Sequence, residues 1–437
     1  MRVAIVLNTS WNLYNFRRGL IDALRQEGHS VTLVAPEDEH TPKLRELGYD
    51  LITVRMDRRG IHPGRDLTYL GELYRVYRAV RPEVVLHFTV KPNIYGTVAA
   101  RMLGIRAVNT VSGLGTVFLK KGVVSWVAQQ LYRLSFRWAD RVLFHNPDDY
   151  ALFVARGLVA ARRAAVVPGS GVNVHHYAPA LPTIPQSPVF PSPSSILQFP
   201  ASASQSPVSG LCPPVSVLPF TFLVIARLLI DKGVMEYAAA ARLLRQQGVS
   251  ARFQLLGARD PAHRRGIADA MLDGWIDEGL IDYLGTADDV RPFVQQADAV
   301  VLPSYREGLP RTLLEAASME KPLVATDTPG CRHVIVDGYN GLLCRVRDAS
   351  ALADAMYRLQ QMPPAEQQQM GRYGRTLVSQ RFSEEYVIDQ YRTFIVNRRD
   401  GVSLPASLLG QPVENRLGNG GVSTTNHLHH ERSASPS

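Results

Sequence analysis

In the segment PSYREGLPRTLLEAASMEKPLVATDTPG two glutamates, Glu307 and Glu315, stand eight residues apart. A Gly-Leu-Pro turn follows the first, and a helical run from Arg311 to Met319 carries the second. Proline fits near a helix start because the first helical N–H groups have no intrahelical acceptor in any case. One carboxylate therefore stands in the loop at the mouth of a strand–helix unit. The other lies about one turn inside the helix and reaches into the same crevice. Two fixed acceptors beside open backbone N–H groups suit a ligand that has many hydroxyls and a phosphate tail. Taken alone, the segment reads equally as an ordinary strand-to-helix loop with two solvated glutamates.

The elements that must hold these groups are those of parallel α/β units. In the first half, apolar runs at 3–8, 30–36, 50–56, 83–89, 107–113 and 141–146 alternate with amphipathic stretches, and 164–173 closes the unit. A helix is expected from about Phe16 to Glu27, stopping at Gly28, and another over 67–82, with Pro82 just past its end. Continuous apolar strands separated by helices argue for a parallel sheet covered on both faces. Residues 179–219 break the pattern, with 11 prolines, 9 serines and no charged side chain among 41 residues. Such density blocks helix and interior strand, so this stretch is expected to be a disordered linker without a site. TFLVIAR restarts the pattern, and from Val402 the chain is polar and tail-like. His427, His429 and His430 lie in that tail and read as solvated rather than as a metal site.

A chain of 437 residues with 46% hydrophobic and 20% charged residues fits two ordinary globular domains. No run of about 18 apolar residues and no leader-like start is present, so neither a spanning helix nor a signal peptide is expected. Three scattered cysteines give neither a disulfide framework nor metal-ligand spacing, which fits a reducing cytoplasm. The net charge of +9 is uneven: residues 1–175 hold 24 Lys/Arg against 14 Asp/Glu, or +10, and the remainder holds 24 against 25, or −1. The basic half asks for an anionic partner, a membrane surface or a polyphosphate. No helix-turn-helix, zinc-finger or RNP-like pattern accompanies the charge, so no nucleic-acid partner is expected.

Further stretches make a family visible: PGSGVNVHHY, FLVIARLLIDKGV, FQLLGARD, the run from Ile281 through Ala316 around both glutamates, and KPLVATDTPGCRHVIVDGYNGLL. Over roughly residues 1–178 and 220–397 the chain resembles the retaining nucleotide-sugar glycosyltransferases of glycosyltransferase family 4. Its first half is similar to the branch that extends lipid-diphosphate-linked sugars. The resemblance implies a GT-B fold, two Rossmann-like α/β domains facing each other across a cleft. Residues 1–178 would bind the acceptor, 179–219 would link, 220–400 would bind the nucleotide sugar and 401–437 would be a tail.

In that resemblance Arg227 and Lys232 clamp the donor diphosphate. Fixed cations there would stabilise the charge that grows on the leaving group, without a metal. Glu307 would hold the transferred sugar, and Glu315 the ribose hydroxyls. The N–H groups of Gly308 and Leu309 would meet the sugar or phosphate, and Gly257 and Leu284 would frame the base by backbone contacts. No carboxylate nucleophile is required if the leaving phosphate oxygen takes the acceptor proton, unlike a glycosidase pair acting on the scissile bond. No metal is expected, since no Asp-x-Asp stands in a suitable loop. His333 occupies a position where many relatives carry Glu, in a stretch read as architectural.

The acceptor side is read less sharply. NTSWNLYNFRRGL lacks the glycine pair many relatives use after the first strand; Asn15, Phe16 and Arg17 stand there instead, with Arg17 the best phosphate candidate. His87 ends a strand and Lys91 lies just beyond, where open α/β sheets bind ligands, although a lone strand histidine is often structural. Gly113, in SGLG, could bring backbone N–H groups to an anion or simply make a tight turn. LKKGVVSWVAQQLYRLSFRWADR (119–141) interleaves cations and aromatics, which suits contact of Leu119 to Val127 with a membrane interface. The same pattern also describes a helix that covers the sheet.

The function expected is transfer of a sugar, most simply from a UDP donor, to a lipid-diphosphate-linked saccharide at the inner face of a membrane. The rivals are the same fold acting on a sugar phosphate or glucan, and a catalytically silent nucleotide-sugar-binding subunit. A dinucleotide oxidoreductase lacks its G-x-G-x-x-G after the first strand.

Overall fold

A computed structural model describes residues 1–57, 62–114, 122–179 and 219–396. Leu119 to Lys121, Gly115, the Pro/Ser-rich segment apart from its two end residues, and the tail lie outside the described residues.

Two parallel sheets form. The first contains β1 (Arg2–Val6), β2 (Ser30–Ala35), β3 (Asp50–Thr53), β4 (Val84–Phe88), β5 (Arg106–Val111), β6 (Arg141–Phe144) and β7 (Ala164–Val166), in the order β3-β2-β1-β4-β5-β6-β7. The second contains β8 (Phe220–Ile225), β9 (Ala251–Leu256), β10 (Asp282–Tyr283), β11 (Ala299–Leu302), β12 (Leu323–Thr326) and β13 (Gly341–Cys344), in the order β10-β9-β8-β11-β12-β13. Central strands such as β4 and β11 are buried along their whole length, as strands covered on both faces must be. In each sheet the strand order reverses once, between β1 and β4 and between β8 and β11. A doubly wound sheet opens a crevice beyond the strand ends at such a reversal.

Two departures from the sequence reading bear on the site. The helix expected from Phe16 to Glu27 is two helices, Ser10–Phe16 and Arg18–Gln26, broken at Arg17 (φ −131°, ψ 0°). Thr9 caps the first by accepting from the Asn12 N–H at 3.0 Å. The break turns the Arg17 side chain inward, where it is buried.

The second departure corrects the expected domain division at 220–400. The helix Glu384–Val396 leaves the C-terminal half and packs into the N-terminal core, where Val387, Tyr391, Phe394 and Ile395 join Val3, Leu20, Leu24 and Phe88. The crossing is bonded on both sides of Ser383: the Val172 N–H donates to the Phe382 carbonyl at 2.9 Å, and the Glu384 N–H to the Val172 carbonyl at 3.0 Å. Arg106 then donates to the Ile395 carbonyl at the far end, at 3.0 Å. The apolar face of this helix is covered by the first sheet and by the helix Arg18–Gln26, so its burial holds the chain's end on the N-terminal half.

Candidate active site

The two crevices face each other around a cavity of about 520 Å³. Its C-terminal wall carries Arg227, Lys232, Glu307, Leu309 and Arg311, and its N-terminal wall Asn12, Phe16, Arg17, Thr89, Ser112 and His145. A larger cavity of about 1130 Å³ lies beyond β2 and β3, lined by Pro36 to Asp38 and by Arg65 and Arg75 among others. It holds none of the residues singled out by their chemistry, so the smaller one is the candidate site.

Each wall is built by short-range rules. Arg227 follows β8, and Lys232 ends a single turn, Ile230–Lys232, before Gly233 (φ 71°) starts the helix Val234–Gln246. A Cβ on Gly233 would stand 2.0 Å from the Pro303 carbonyl oxygen, so glycine lets this turn lie against the end of β11. Lys232 Nζ then meets Glu307 Oε1 at 2.6 Å. The helix Arg311–Ser318 points its N-terminus at the cavity through Leu309, Pro310 and Arg311, a favourable end for a phosphate.

Glu315 is more engaged than its spacing suggested. Arg311 Nε donates to it at 2.6 Å one turn earlier on the same helix, and the Tyr177 phenol lies within hydrogen-bond reach. Burial raises the Glu315 pKa, and Arg311 works against that rise. A ribose reaching Glu315 must share or displace these partners. Gly257 and Leu284 come together as a backbone wall: the Gly257 N–H donates to the Gly285 carbonyl at 2.7 Å. A Cβ on Gly257 would stand 1.8 Å from the Ala226 oxygen, next to the strand end that carries Arg227.

Of the N-terminal candidates, only Arg17 lines the cavity. Its guanidinium carbon sits 4.1 Å from the Phe88 ring centre, and burial, with the charge of Arg311 nearby, lowers its pKa. The other four candidates require correction. His87 is fully buried within the sheet, its Nε2 bonded to the Tyr77 hydroxyl at 2.8 Å and its Nδ1 to Asn109 at 2.8 Å. Burial pushes its pKa down to about 4, so it is a neutral core histidine with both nitrogens used. Lys91 is drawn away to the buried Asp66 at 2.7 Å. Asn15 donates back to the Trp11 carbonyl of its own helix, and its own carbonyl accepts from Arg311 at 2.9 Å, so it positions Arg311 rather than a ligand. Gly113 does not line the cavity; its backbone abuts Gly308, and an added Cβ would lie 3.4 Å from Gly308 Cα.

That contact belongs to a seam that sequence reasoning missed. Asn146 Nδ2 donates to the Gly308 carbonyl at 2.7 Å, Arg306 pairs with Asp149, and His333 Nε2 meets Asp148 at 2.7 Å. Asp149 is completely buried; burial raises its pKa and Arg306 opposes the rise. HNPDD reads as a helix start, with Asn146 capping and acids in the first turn, as it is in the helix Pro147–Ala155. Nothing local says that the same residues cross the cleft. His333, read as architectural, is one of the residues that meet them.

The seam yields a steric test. A Cβ on Gly308 would stand 2.0 Å from the Ser112 carbonyl oxygen, a backbone atom that cannot swing aside. Gly308→Ala is expected to wedge the cleft open, cutting turnover at least tenfold while the thermal midpoint of each half moves little. Native turnover in this variant would mean that the halves need not approach this closely.

Residues 2–146 match the family model described as glycosyl transferase 4-like, and residues 219–362 that of the glycosyl transferases group 1. The N,N'-diacetylbacillosaminyl-diphospho-undecaprenol alpha-1,3-N-acetylgalactosaminyltransferase of Campylobacter jejuni is 28% identical, covering 88% of this chain and 98% of that protein. The UDP-Gal:alpha-D-GlcNAc-diphosphoundecaprenol alpha-1,3-galactosyltransferase of Escherichia coli is 22% identical, covering 69% and 72%. Among solved structures, sucrose-phosphate synthase from Thermosynechococcus elongatus superposes with a TM-score of 0.70 at 18% identity, covering 90% of this chain and 98% of that one. Anabaena HepE in complex with UDP-glucose superposes with a TM-score of 0.68 at 15% identity, covering 90% and 99%. These superpositions identify the architecture as the two-domain GT-B fold expected from the sequence.

Proposed function

The chain is a glycosyltransferase, joining a glycosyl transferase 4-like half to a group 1 half, and we propose that it extends a lipid-diphosphate-linked saccharide from a nucleotide-sugar donor, UDP-linked by preference. One observation carries the reading. Two strand-end crevices close on a single cavity in which Arg17, Arg227, Lys232 and Arg311 outnumber the one carboxylate, Glu307. A cleft so charged suits two polyphosphate substrates meeting end to end. The relatives named for undecaprenyl-diphosphate-linked acceptors support the acceptor class.

In the reaction the anomeric C–O bond to the donor phosphate breaks and the acceptor hydroxyl oxygen bonds the same carbon. The hydroxyl proton passes to the leaving phosphate oxygen, with retention at the anomeric carbon. Arg227 and Lys232 stabilise the charge that grows there, with no metal assigned, and Glu307 orients the sugar. Glu315 reaches the ribose, Gly308 and Leu309 offer N–H groups, and Gly257 and Leu284 border the base.

The acceptor's lipid places the reaction at the cytoplasmic face of a membrane, with the protein bound at its periphery. Among the described residues no helix is long and apolar enough to cross one. The helix Val123–Phe136 instead buries Tyr132 and Phe136 and leaves Val123 78% and Trp126 62% exposed at its start. Together with the +10 surplus of residues 1–175, this favours shallow docking on anionic lipid, each cation near the surface adding about 1 kcal/mol.

A transfer assay in EDTA, with UDP-sugars and with undecaprenyl-diphosphate and soluble acceptors in parallel, tests the reading. Lys120→Glu with Lys121→Glu is expected to release the protein from anionic vesicles, as added salt does, and to impair transfer to the lipid acceptor while UDP binding survives. Transfer to soluble acceptors alone, with vesicle binding indifferent to both charge and salt, would favour a soluble-acceptor enzyme.

A further inference from the structure

Three polar atoms on the N-terminal wall have no hydrogen-bond partner among the described residues: Arg17 Nε, Thr89 Oγ1 and His145 Nε2. All three residues line the same cavity. They follow three different strands: Arg17 comes after β1, Thr89 directly after β4 and His145 directly after β6. β1 and β4 are the pair at which the strand order reverses, so Arg17 and Thr89 flank the crevice where such sheets take ligands.

Leaving these atoms unpartnered is costly. A buried polar group without a partner forfeits about 1–3 kcal/mol. Thr89 adds backbone strain, since a β-branched residue at φ 72° sits in the left-handed region at a further cost of about 1–3 kcal/mol. Such groups persist together where a ligand satisfies them. The chemistry of the ligand follows from the donors. Arg17 is a buried cation, over the Phe88 ring and held against desolvation chiefly by Tyr391 and then by Glu384. Burial and the Arg17 charge push the His145 pKa down to about 3, so near neutrality its ring is uncharged and can donate one N–H. The Thr89 hydroxyl rotates freely enough to donate as well.

We propose that Arg17, Thr89 and His145 form a phosphate-oxygen subsite, through which the N-terminal half grips a diphosphate opposite Arg227 and Lys232. The inference rests on the glycosyltransferase reading of the cleft and adds Thr89 and His145 to it. The same three donors fit a phosphate of the nucleotide donor or one of the lipid-linked acceptor, and two probes separate these sources.

The test uses the full-length chain, with the affinities of UDP and of farnesyl diphosphate measured by calorimetry and sugar transfer followed alongside. Thr89→Val and His145→Ala are each expected to weaken one of the two diphosphates about tenfold, the worth of one lost hydrogen bond to a charged group. Thr89→Ser and His145→Gln, which keep a donor, are expected to restore most of it. Loss confined to UDP assigns the subsite to the donor, and loss confined to farnesyl diphosphate assigns it to the acceptor. Unchanged affinities for both, or equal losses in Thr89→Val and Thr89→Ser, overturn the subsite. If the wild type still transfers sugar in that case, the glycosyltransferase reading stands; if it neither transfers sugar nor binds UDP, both fall.

Discussion

Lys232→Ala is expected to raise the barrier to sugar transfer by about 2–4 kcal/mol, roughly a 30- to 1,000-fold loss of turnover, the scale for removing one preorganised charge stabiliser. The geometry makes Lys232 the more sensitive partner of its pair. Its ammonium lies 2.6 Å from Glu307, which is largely buried, so deletion removes a cation from the leaving group and also leaves a carboxylate uncompensated beside it. Glu307→Gln keeps the cation and a hydrogen-bonding side chain, and is expected to lose less. Arg227→Ala falls in the range of Lys232→Ala. Because Lys232 and Glu307 touch, the double variant should lose less than the two single losses added together. Initial rates with saturating donor decide the matter: near-native turnover in both Lys232→Ala and Arg227→Ala would put the donor site elsewhere.

Arg306→Ala should produce the second large effect, in closure of the cleft rather than in chemistry. Asp149 is completely buried and Arg306 is its charged partner across the seam. Removing one member of such a pair costs about 3–5 kcal/mol, because the remaining charge stays desolvated. The halves can escape that cost by parting and letting water reach Asp149. The expected result is a more open particle by small-angle scattering with UDP present, and a large fall in turnover. Asp149→Asn, which removes the buried charge itself, should open the cleft less than Arg306→Ala. Equal scattering profiles and equal rates across the wild type and both variants would show that the pair does not govern closure.

Much of the architecture was legible because it rests on local pattern. The apolar runs became strands within a few residues of their expected bounds, and the turn at Gly308 to Pro310 with its following helix formed as read. What failed was nonlocal. His87 looked like a strand-end ligand because periodicity cannot reveal that Tyr77 from a covering helix and Asn109 from β5 meet both its nitrogens. Lys91 was misread for the same reason, its partner lying 25 residues away in the chain, whereas the Asn15 side chain is taken up one turn back in a helix whose bounds had not been read. The break at Arg17 has no proline or glycine at the break itself to announce it. Thr89 gave no sign of its φ, because a threonine is the last residue propensity would place there. The eight-residue spacing suggested two glutamates reaching into one crevice, but only Glu307 lines the cavity, and the cations Lys232 and Arg311 decide how freely either meets a ligand.

The returning helix Glu384–Val396 changes what it means to call this one chain. The backbone passes between the halves at two places, and the second, at Ser383, is stitched by paired main-chain bonds and anchored by a helix buried in the first core. Peptide continuity through 180–218 is therefore not what keeps donor and acceptor walls together. Cut there, the protein is expected to become two polypeptides that still form one particle, each incomplete without the other: the larger carries a helix of the smaller one's core, and the smaller carries Val172 into the larger one's core. A gene split at that point is then expected to encode an obligate heterodimer.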